Sequence, residues 1–254
     1  MRLGIVGIVL AAFVTLIAPP ARAEEGKDAA AIIAKAVEAR GGKANLAKYK
    51  AQTAKFKGQI SISGMDISMT GTSKSQSPDK MHVESEAKAG GQDFSISQII
   101  NGDKGWQGVN GMFTDMDKET LEEGAAELYA SRIADLMGMD DKKLKFEALG
   151  KSTVDDKPAI GVKVTSKGQR DISVFFDAKT HQVVKTETTG KDQMNGGALY
   201  KSETFYSDYK KVGPLTLPHS VKVLRDGKPF MKMEMSDTKV LEKLDDSEFS
   251  KPAA

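Results

Sequence analysis

The chain has 254 residues, with 37 Lys and Arg against 35 Asp and Glu, and it contains no cysteine. The near balance of charge argues against a nucleic-acid-binding protein, because such proteins cluster positive charge to displace the counterions of the phosphate backbone. The absence of cysteine excludes disulfides, a thiol nucleophile and a lipid-modified cysteine anchor.

The N-terminus has the pattern of a secretory signal peptide. Arg2 supplies a positive charge, residues 3–18 form a mainly apolar run, and Pro19-Pro20 breaks a helix. The run is shorter than the roughly 20 residues that span a bilayer, and an A-x-A cleavage site ends at Ala23. We therefore predict a cleavable signal peptide over residues 1–23 and a periplasmic protein without a membrane anchor.

The remaining residues, 24–254, contain as many basic as acidic side chains. Their number suits one all-β domain, since sandwiches and barrels reach about 200–250 residues as single units. No repeat of fixed period and no Pro/Ser-rich linker divides this part of the chain. We predict a single domain.

The predicted domain opens with an amphipathic helix. Asp28 can cap this helix, and Gly41-Gly42 can end it. The apolar residues at helical spacing are Ile32, Ile33, Ala36 and Val37.

Beyond Tyr49 the apolar period changes to two, which is typical of a half-buried strand. Asn-Gly and Asp-Gly dipeptides lie between several such segments and favour tight hairpins, because these residues adopt positive φ easily. These dipeptides are Asn101-Gly102, Asn110-Gly111 and Asp226-Gly227. We count ten to twelve strands, and the predicted segments are 55–62, 66–76, 80–88, 92–100, 105–109, 145–146, 159–165, 172–176, 183–188, 202–209, 217–224 and 230–240.

A second helix, over residues 117–137, interrupts the strands. Its apolar stripe is Leu121, Ala125, Leu128, Tyr129, Arg132, Ile133 and Leu136. The predicted opposite, polar face is Lys118, Glu119, Glu122, Glu123 and Glu127. The stripe must be buried, and a sheet face is the only surface that can bury it. The predicted fold class is mainly β (α+β), with one long, curled antiparallel sheet and two helices on its concave side.

The sequence contains no catalytic constellation. G-x-S-x-G and phosphate-binding glycine loops are absent. Two S-x-x-K matches, residues 77–80 and 207–210, fall at predicted strand edges, where positions three apart face opposite sides of the sheet. Catalytic residues and nucleotide cofactors are therefore not predicted.

Metal ligands and paired catalytic carboxylates are not predicted either. The three histidines stand alone in separate segments, as surface or hairpin residues do, and adjacent carboxylates on a strand diverge instead of facing one cleft. The histidines are His82, His181 and His219, and the carboxylate pairs, interpreted as turns, are Asp140-Asp141, Asp155-Asp156 and Asp245-Asp246.

Methionine is frequent, with 12 residues. Its flexible thioether suits both gap filling in a core and surfaces that adapt to varied apolar ligands, and the sequence leaves both interpretations open. Trp106 is likewise either a core anchor or a ligand contact. The methionines in predicted strands are Met65, Met69, Met81, Met231, Met233 and Met235.

Four short motifs in this order resemble the outer-membrane lipoprotein-sorting family, the LolA-like group, which includes periplasmic members. They are Ala39-Arg40-Gly41-Gly42, Asn101-Gly102-Asp103-Lys104-Gly105-Trp106, Phe176-Asp177-Ala178-Lys179-Thr180, and Tyr206-Ser207-Asp208-Tyr209-Lys210 leading to Leu217-Pro218. The resemblance covers nearly all of residues 28–249. It implies an unclosed β-barrel whose concave face, covered by helices, forms an apolar cavity for acyl chains.

The sequence departs from the family at one point. In lipoprotein carriers of this family an arginine on an early strand tethers the helices, but residues 52–76 contain Lys55, Lys57 and Lys74 and no arginine. We therefore assign no tether residue.

Two functional hypotheses follow, and an enzyme is a third that only a cluster of ionisable groups with shifted pKa values in a cleft would support. The first is a non-enzymatic carrier or binder of lipid or of lipoprotein acyl chains, without cofactor or metal, which would exchange cargo with membrane-bound donor and acceptor proteins. The second is an envelope interaction or sensor module on the same scaffold, with a filled core and no cavity. The predicted cavity lining of the carrier is Phe56, Ile60, Ile62, Met69, Phe94, Ile96, Trp106, Leu128 and Leu136.

Overall fold

A computed structural model describes residues 22–62, 64–89, 91–192 and 196–252. The predicted signal peptide, residues 1–23, lies almost entirely outside this range, and its cleavage stays a prediction. No helix in the described range is long and apolar enough to cross a bilayer.

The described residues form thirteen strands, three α-helices and a C-terminal 3-10 helix. The helices are α1 (Arg22–Arg40), α2 (Lys43–Lys48), α3 (Lys118–Ala134) and the 3-10 helix Asp246–Phe249. The strands are β1 (Ala51–Ile62), β2 (Met65–Gln76), β3 (Lys80–Ala89), β4 (Gln92–Asn101), β5 (Lys104–Val109), β6 (Met112–Asp115), β7 (Lys145–Val154), β8 (Lys157–Thr165), β9 (Ile172–Asp177), β10 (Val183–Asp192), β11 (Ala198–Val212), β12 (Leu215–Arg225) and β13 (Lys228–Leu241).

All thirteen strands belong to one antiparallel sheet. Its order is β6-β5-β4-β3-β2-β1-β13-β12-β11-β10-β9-β8-β7, so each half of the chain is a meander and the two meanders join where β1 pairs with β13. The twelve predicted strand segments all correspond to observed strands. The thirteenth is the edge strand β6, which has four residues and is too short to show a period.

The sheet is curved and does not close. It leaves β6 and β7 as its two edges, and α3 connects them along the chain. A flat sheet of this size would hold its edges about 58 Å apart, whereas α3 is about 25 Å long. The same helix contacts β4 on one side and β10 on the other, although six strands lie between them. The sheet therefore wraps around α3, as the predicted fold class requires.

We call the face of the sheet on which α1 and α3 pack the inner face. Its main core lies over β7 to β10, where both helices bury apolar side chains against alternating strand residues. The members with no exposed surface at all are Ala29, Ile133, Val162, Val164, Ile172 and Val174.

Several hairpins have the predicted turn chemistry. Asn110-Gly111 and Asp226-Gly227 both have two consecutive residues at positive φ, as type I′ turns require. Asp155-Asp156 adopts the same conformation between β7 and β8, which confirms its interpretation as a turn. At Asn101-Gly102 only the glycine is left-handed, because Asn101 is still the last residue of β4.

Four details of the sequence interpretation were wrong. Asp28 lies inside α1, which extends from Arg22, so it is not the N-cap. The central helix ends at Ala134, and Asp117 caps its other end by accepting a hydrogen bond from the Thr120 amide. Glu123, predicted on the polar face, is buried. The fourth detail is the histidines predicted at the surface, because His82 and His219 are both buried.

Candidate functional site

A cavity of about 420 Å³ lies between α3 and the inner face of the sheet. One wall is a row of methionines on β13, and because strand side chains alternate, Met231, Met233 and Met235 all point the same way. Their partners on the neighbouring strand, Val223 and Val221, continue this wall. The middle of the cavity is therefore lined by flexible and branched apolar side chains.

One end of the cavity is closed by an ion pair between the two long helices. Arg40, the last residue of α1, donates to Asp135, which follows α3. Arg40 is 5% exposed and Asp135 34%. Burial raises the pKa of Asp135, and the charge of Arg40 opposes that rise. Burial also raises the pKa of Tyr206, beside the pair, to about 12, which keeps its hydroxyl neutral.

A second ion pair, at the other end of the cavity, fixes α3 to the connection between β8 and β9. Arg170, in the β8–β9 connection, donates through both terminal nitrogens to the two carboxylate oxygens of Glu123, with Nη1 at 2.7 Å from Oε1. The Lys191 amide of β10 donates to the same Oε1 at 3.1 Å. Burial favours the neutral acid, but these hydrogen bonds and the Arg170 charge outweigh it and lower the pKa of Glu123. The buried helix residue is thus a carboxylate held in a fixed position.

At the same end of the cavity as the Glu123–Arg170 pair, Arg225 has no carboxylate partner among the described residues. Its Cζ lies 4.3 Å from the centroid of the Tyr200 ring and 3.4 Å from that of Phe230. All three side chains line the cavity, together with Glu127 of α3. Burial, and after it the charge of Glu123, raise the pKa of Glu127, while Arg225 and Arg170 act in the opposite direction.

Two open grooves adjoin the cavity. One, of about 860 Å³, runs along the other side of α3, and its lining shares Glu123, Ala126, Leu128 and Arg170 with that of the cavity. The other, of about 1060 Å³, lies between α1, α2 and the segment after α3, and its lining is mainly apolar. A small space of about 40 Å³ lies between this second groove and the cavity. The lining of the small space includes Gln52, which also lines the cavity, and Lys50, which also lines the groove.

The structure gathers most of the nine predicted lining residues on one face. The register of β1 to β4 places six of them on the inner face: Phe56, Ile60, Ile62, Met69, Phe94 and Ile96. Of these six, Phe56 alone is buried, and the others lie beyond the cavity, toward the β1–β2 and β3–β4 hairpins. Leu128 lines the cavity, and Leu136 lines the groove between α1 and α2. Ligand contact by these eight residues stays a prediction.

Trp106 lies on the other face of the sheet. It pairs with Ile99, which pairs with His82, and His82 contacts the backbone of Glu248 in the 3-10 helix behind the sheet. The inner position of β5 is taken by Gly105, whose missing side chain leaves room for Leu121 of α3. Trp106 therefore does not line this cavity, because the alternation of β5 has the opposite phase from the one assumed.

The polar residues of the site were not identified from the sequence. Arg40 belongs to one of the family-like motifs, so a signal for it existed, and it joins α1 to the end of α3 although the early strands lack arginine. Arg170 carries no local signal, because its partner Glu123 lies 47 residues earlier in the chain. Of the two rings against Arg225, Tyr200 is distant in sequence and Phe230 lies across the adjoining hairpin. For the methionines the sequence did contain a signal. Met231, Met233 and Met235 line the cavity, where a thioether can either fill a gap in the core or contact a ligand.

The lysines of the two S-x-x-K segments form ion pairs, and the His, Asp and Glu side chains of the described ranges form no metal site. Within the described ranges, no three His, Asp or Glu side chains come together in an arrangement that could hold a metal ion. In the two S-x-x-K segments, Lys80 pairs with Asp246 at 2.9 Å and Lys210 with Asp208 at 2.8 Å. The arrangement at the cavity can bind and orient a ligand by apolar contact and charge.

No family model and no curated protein sequence matches the chain. Solved structures do match. A LolA superfamily protein from Nitrosomonas europaea has a TM-score of 0.56 at 13% identity, with 88% of this chain and 97% of that chain covered. A domain from Vibrio parahaemolyticus, described as an outer membrane lipoprotein-sorting protein, has a TM-score of 0.54 at 15% identity, with 89% of this chain and 97% of that chain covered. A DUF1329 family protein from Desulfovibrio piger has a TM-score of 0.55 at 12% identity, with 87% of this chain and 97% of that chain covered. The resemblance inferred from the four motifs is confirmed at the level of architecture, and the chain has a LolA-like fold.

Proposed function

We propose that the protein is a non-enzymatic carrier or binder of lipid, or of the acyl part of lipoproteins, in the periplasm. The observation that carries this proposal is the cavity beneath α3, lined in its middle by Met231, Met233 and Met235. A scaffold with a filled core would have no such space. The similarity to a lipoprotein-sorting domain supports the same conclusion, as does the signal-like sequence at residues 1–23.

The size and lining of the cavity suit an acyl chain. Its volume of about 420 Å³ falls within the range of about 300–1,000 Å³ that is typical of small-molecule sites. Removing apolar surface from water contributes about 25 cal/mol per Å², offset by the cost of ordering chain and protein. Methionine thioethers can adjust to chains of different length and unsaturation, so one site can accept a mixture of lipids.

The experiment is native mass spectrometry, with lipid extraction, on the mature protein purified from the periplasm without detergent. A matched pair of variants on α3 locates the site. Ala126 lines both the cavity and the open groove of about 860 Å³, and Ala125 lines the groove alone, so only Ala126→Trp should place an indole against the cavity. We expect bound acyl lipid on the parent and on Ala125→Trp and its loss from Ala126→Trp, with circular dichroism showing both variants folded.

Two results would contradict the proposal. A parent protein free of lipid that also takes up no added lipid would favour the interaction-module hypothesis. Equal lipid retention by Ala125→Trp and Ala126→Trp would place any bound lipid outside the cavity.

A further inference from the structure

Among the arginines that line the cavity, Arg225 alone has no countercharge within the described part of the chain. Arg40 and Arg170, which also line it, are each paired with a carboxylate. Among the described residues, no carboxylate lies within salt-bridge distance of Arg225, and its Nε is buried without a hydrogen-bond partner. Buried polar atoms nearly always have a partner, and an orphan in a cavity wall is a place where a ligand can supply one.

The position of the guanidinium is set by aromatic contacts. The rings of Tyr200 and Phe230 contact it at 4.3 Å and 3.4 Å, and cation–π attraction holds it there. Contacts of this kind use the face of the planar group and leave its N–H edges available. A planar fork of N–H donors matches the paired oxygens of a carboxylate or a phosphate.

Glu127 does not supply the missing charge. Its carboxyl lines the same cavity and feels the attraction of Arg225, yet its pKa is raised, mainly by burial and by Glu123. The groups that act on it are Glu123, Arg170 and Arg225, and the first two neutralise each other in their ion pair. Glu127 is not within salt-bridge distance of Arg225, so its carboxyl offsets the charge of the guanidinium only in part.

The methionine row begins next to Arg225. Met231 pairs with Val223, two residues before Arg225 on β12, and the row continues through Met235. Four residues of strand span about 13 Å, so an acyl chain can lie along the row with one end at the guanidinium. The volume of about 420 Å³ is near the lower end for ligand sites, which favours one chain over several.

We propose that the cavity selects a single-chain lipid with an anionic head, a carboxylate or a phosphate, which Arg225 binds while the chain lies along Met231, Met233 and Met235. The proposal rests on the proposed function and narrows it. A ligand of this kind is a free acid or phosphate ester, and the acyl chains of a lipoprotein carry no such terminal charge. Arg225 then determines specificity by charge, and the methionines accept varied chains.

The test compares three ligands with the same chain: palmitate, hexadecyl phosphate and hexadecanol. Each binds to the delipidated mature protein in a native mass-spectrometry titration. A charge-assisted hydrogen bond should favour at least one anion over the alcohol by about tenfold or more. Arg225→Gln should abolish this preference with little change in binding of hexadecanol. Lys228→Gln, which removes an exposed charge at the pairing partner of Arg225, should preserve it.

A second variant does not depend on removing Arg225. Glu127→Gln removes the negative charge that competes with the ligand, so it should strengthen binding of the anions and leave hexadecanol unchanged. A preference for palmitate alone identifies fatty acids as the ligand class, and a preference for hexadecyl phosphate alone identifies phosphate esters. Equal binding of all three ligands, or an anion preference that survives in Arg225→Gln, overturns the proposal. Failure of all three ligands to bind overturns the proposed function itself.

Discussion

At the scale of single residues, the Arg40–Asp135 pair is where a small change should be felt most. Asp135→Asn would leave the Arg40 guanidinium buried without a countercharge. Breaking a fully buried pair costs about 3–5 kcal/mol, and because Asp135 is 34% exposed we expect a smaller loss, about 2–3 kcal/mol of unfolding free energy. Chemical denaturation of the purified mature protein measures this loss.

A neighbouring ion pair provides the control. Lys43 and Asp140 also connect the N-terminal helices to the segment after α3, at 3.2 Å, but both side chains are well exposed. Asp140→Asn should therefore cost less than about 1 kcal/mol. Replacing both partners of the buried pair, as in Arg40→Met with Asp135→Leu, should recover most of the stability. Equal losses in Asp135→Asn and Asp140→Asn would mean that burial of Arg40 does not matter.

Local chemistry was predictable at this scale, and long-range pairing was not. Asn110-Gly111 could be assigned as a turn because the two residues themselves determine the conformation. Glu123, the partner of Arg170, and Tyr200, one of the two rings against Arg225, lie tens of residues away, so no spacing in the sequence reveals them. The placement of Trp106 failed for a related reason. The phase of a two-residue alternation depends on which face the fold buries, and a shift of one residue reverses it.

At the scale of elements, the contact between α3 and β4 depends on a glycine. A Cβ on Gly124 would lie 2.5 Å from Cδ1 of Ile100. Gly124→Val should therefore push α3 away from the sheet and cost about 1–3 kcal/mol, as overpacking typically does. Thermal unfolding followed by circular dichroism measures the effect.

Ala125→Val tests whether helix propensity explains the result. Ala125 is exposed beside the open groove, so the same β-branched residue there costs only the propensity difference, well under about 1 kcal/mol. A loss at Ala125 as large as that at Gly124 would remove close packing as the explanation. The existence of α3 was predictable from its apolar stripe, but its rotation about its own axis was not. Glu123 is buried because Arg170 and the Lys191 amide meet it there.

At the scale of the whole molecule, the two halves of the inner face differ. The half over β7 to β10 is a packed core covered by α1 and α3. In the described part of the chain no helix covers the far part of β1 to β4 in the same way, and Ile96 there is 38% exposed. Register makes this part continuous with the cavity, because Ile60 pairs with the cavity residue Met231. The far part of β1 to β4 thus continues the apolar wall of the cavity toward solvent.

This asymmetry predicts that a long acyl chain continues from the cavity over the open part of the inner face. Phe94→Ser combined with Ile96→Ser should weaken binding of a long-chain lipid by about tenfold, because two half-exposed side chains lose roughly 1–2 kcal/mol of apolar contact. Stability should change little, since neither residue is buried. Leu149→Ser combined with Leu199→Ser removes two exposed leucines from the outer face and should leave binding intact. Titration with a chain-length series separates the outcomes. Loss for long chains alone supports the extension, and unchanged binding in the first double variant would confine the ligand to the cavity beneath α3.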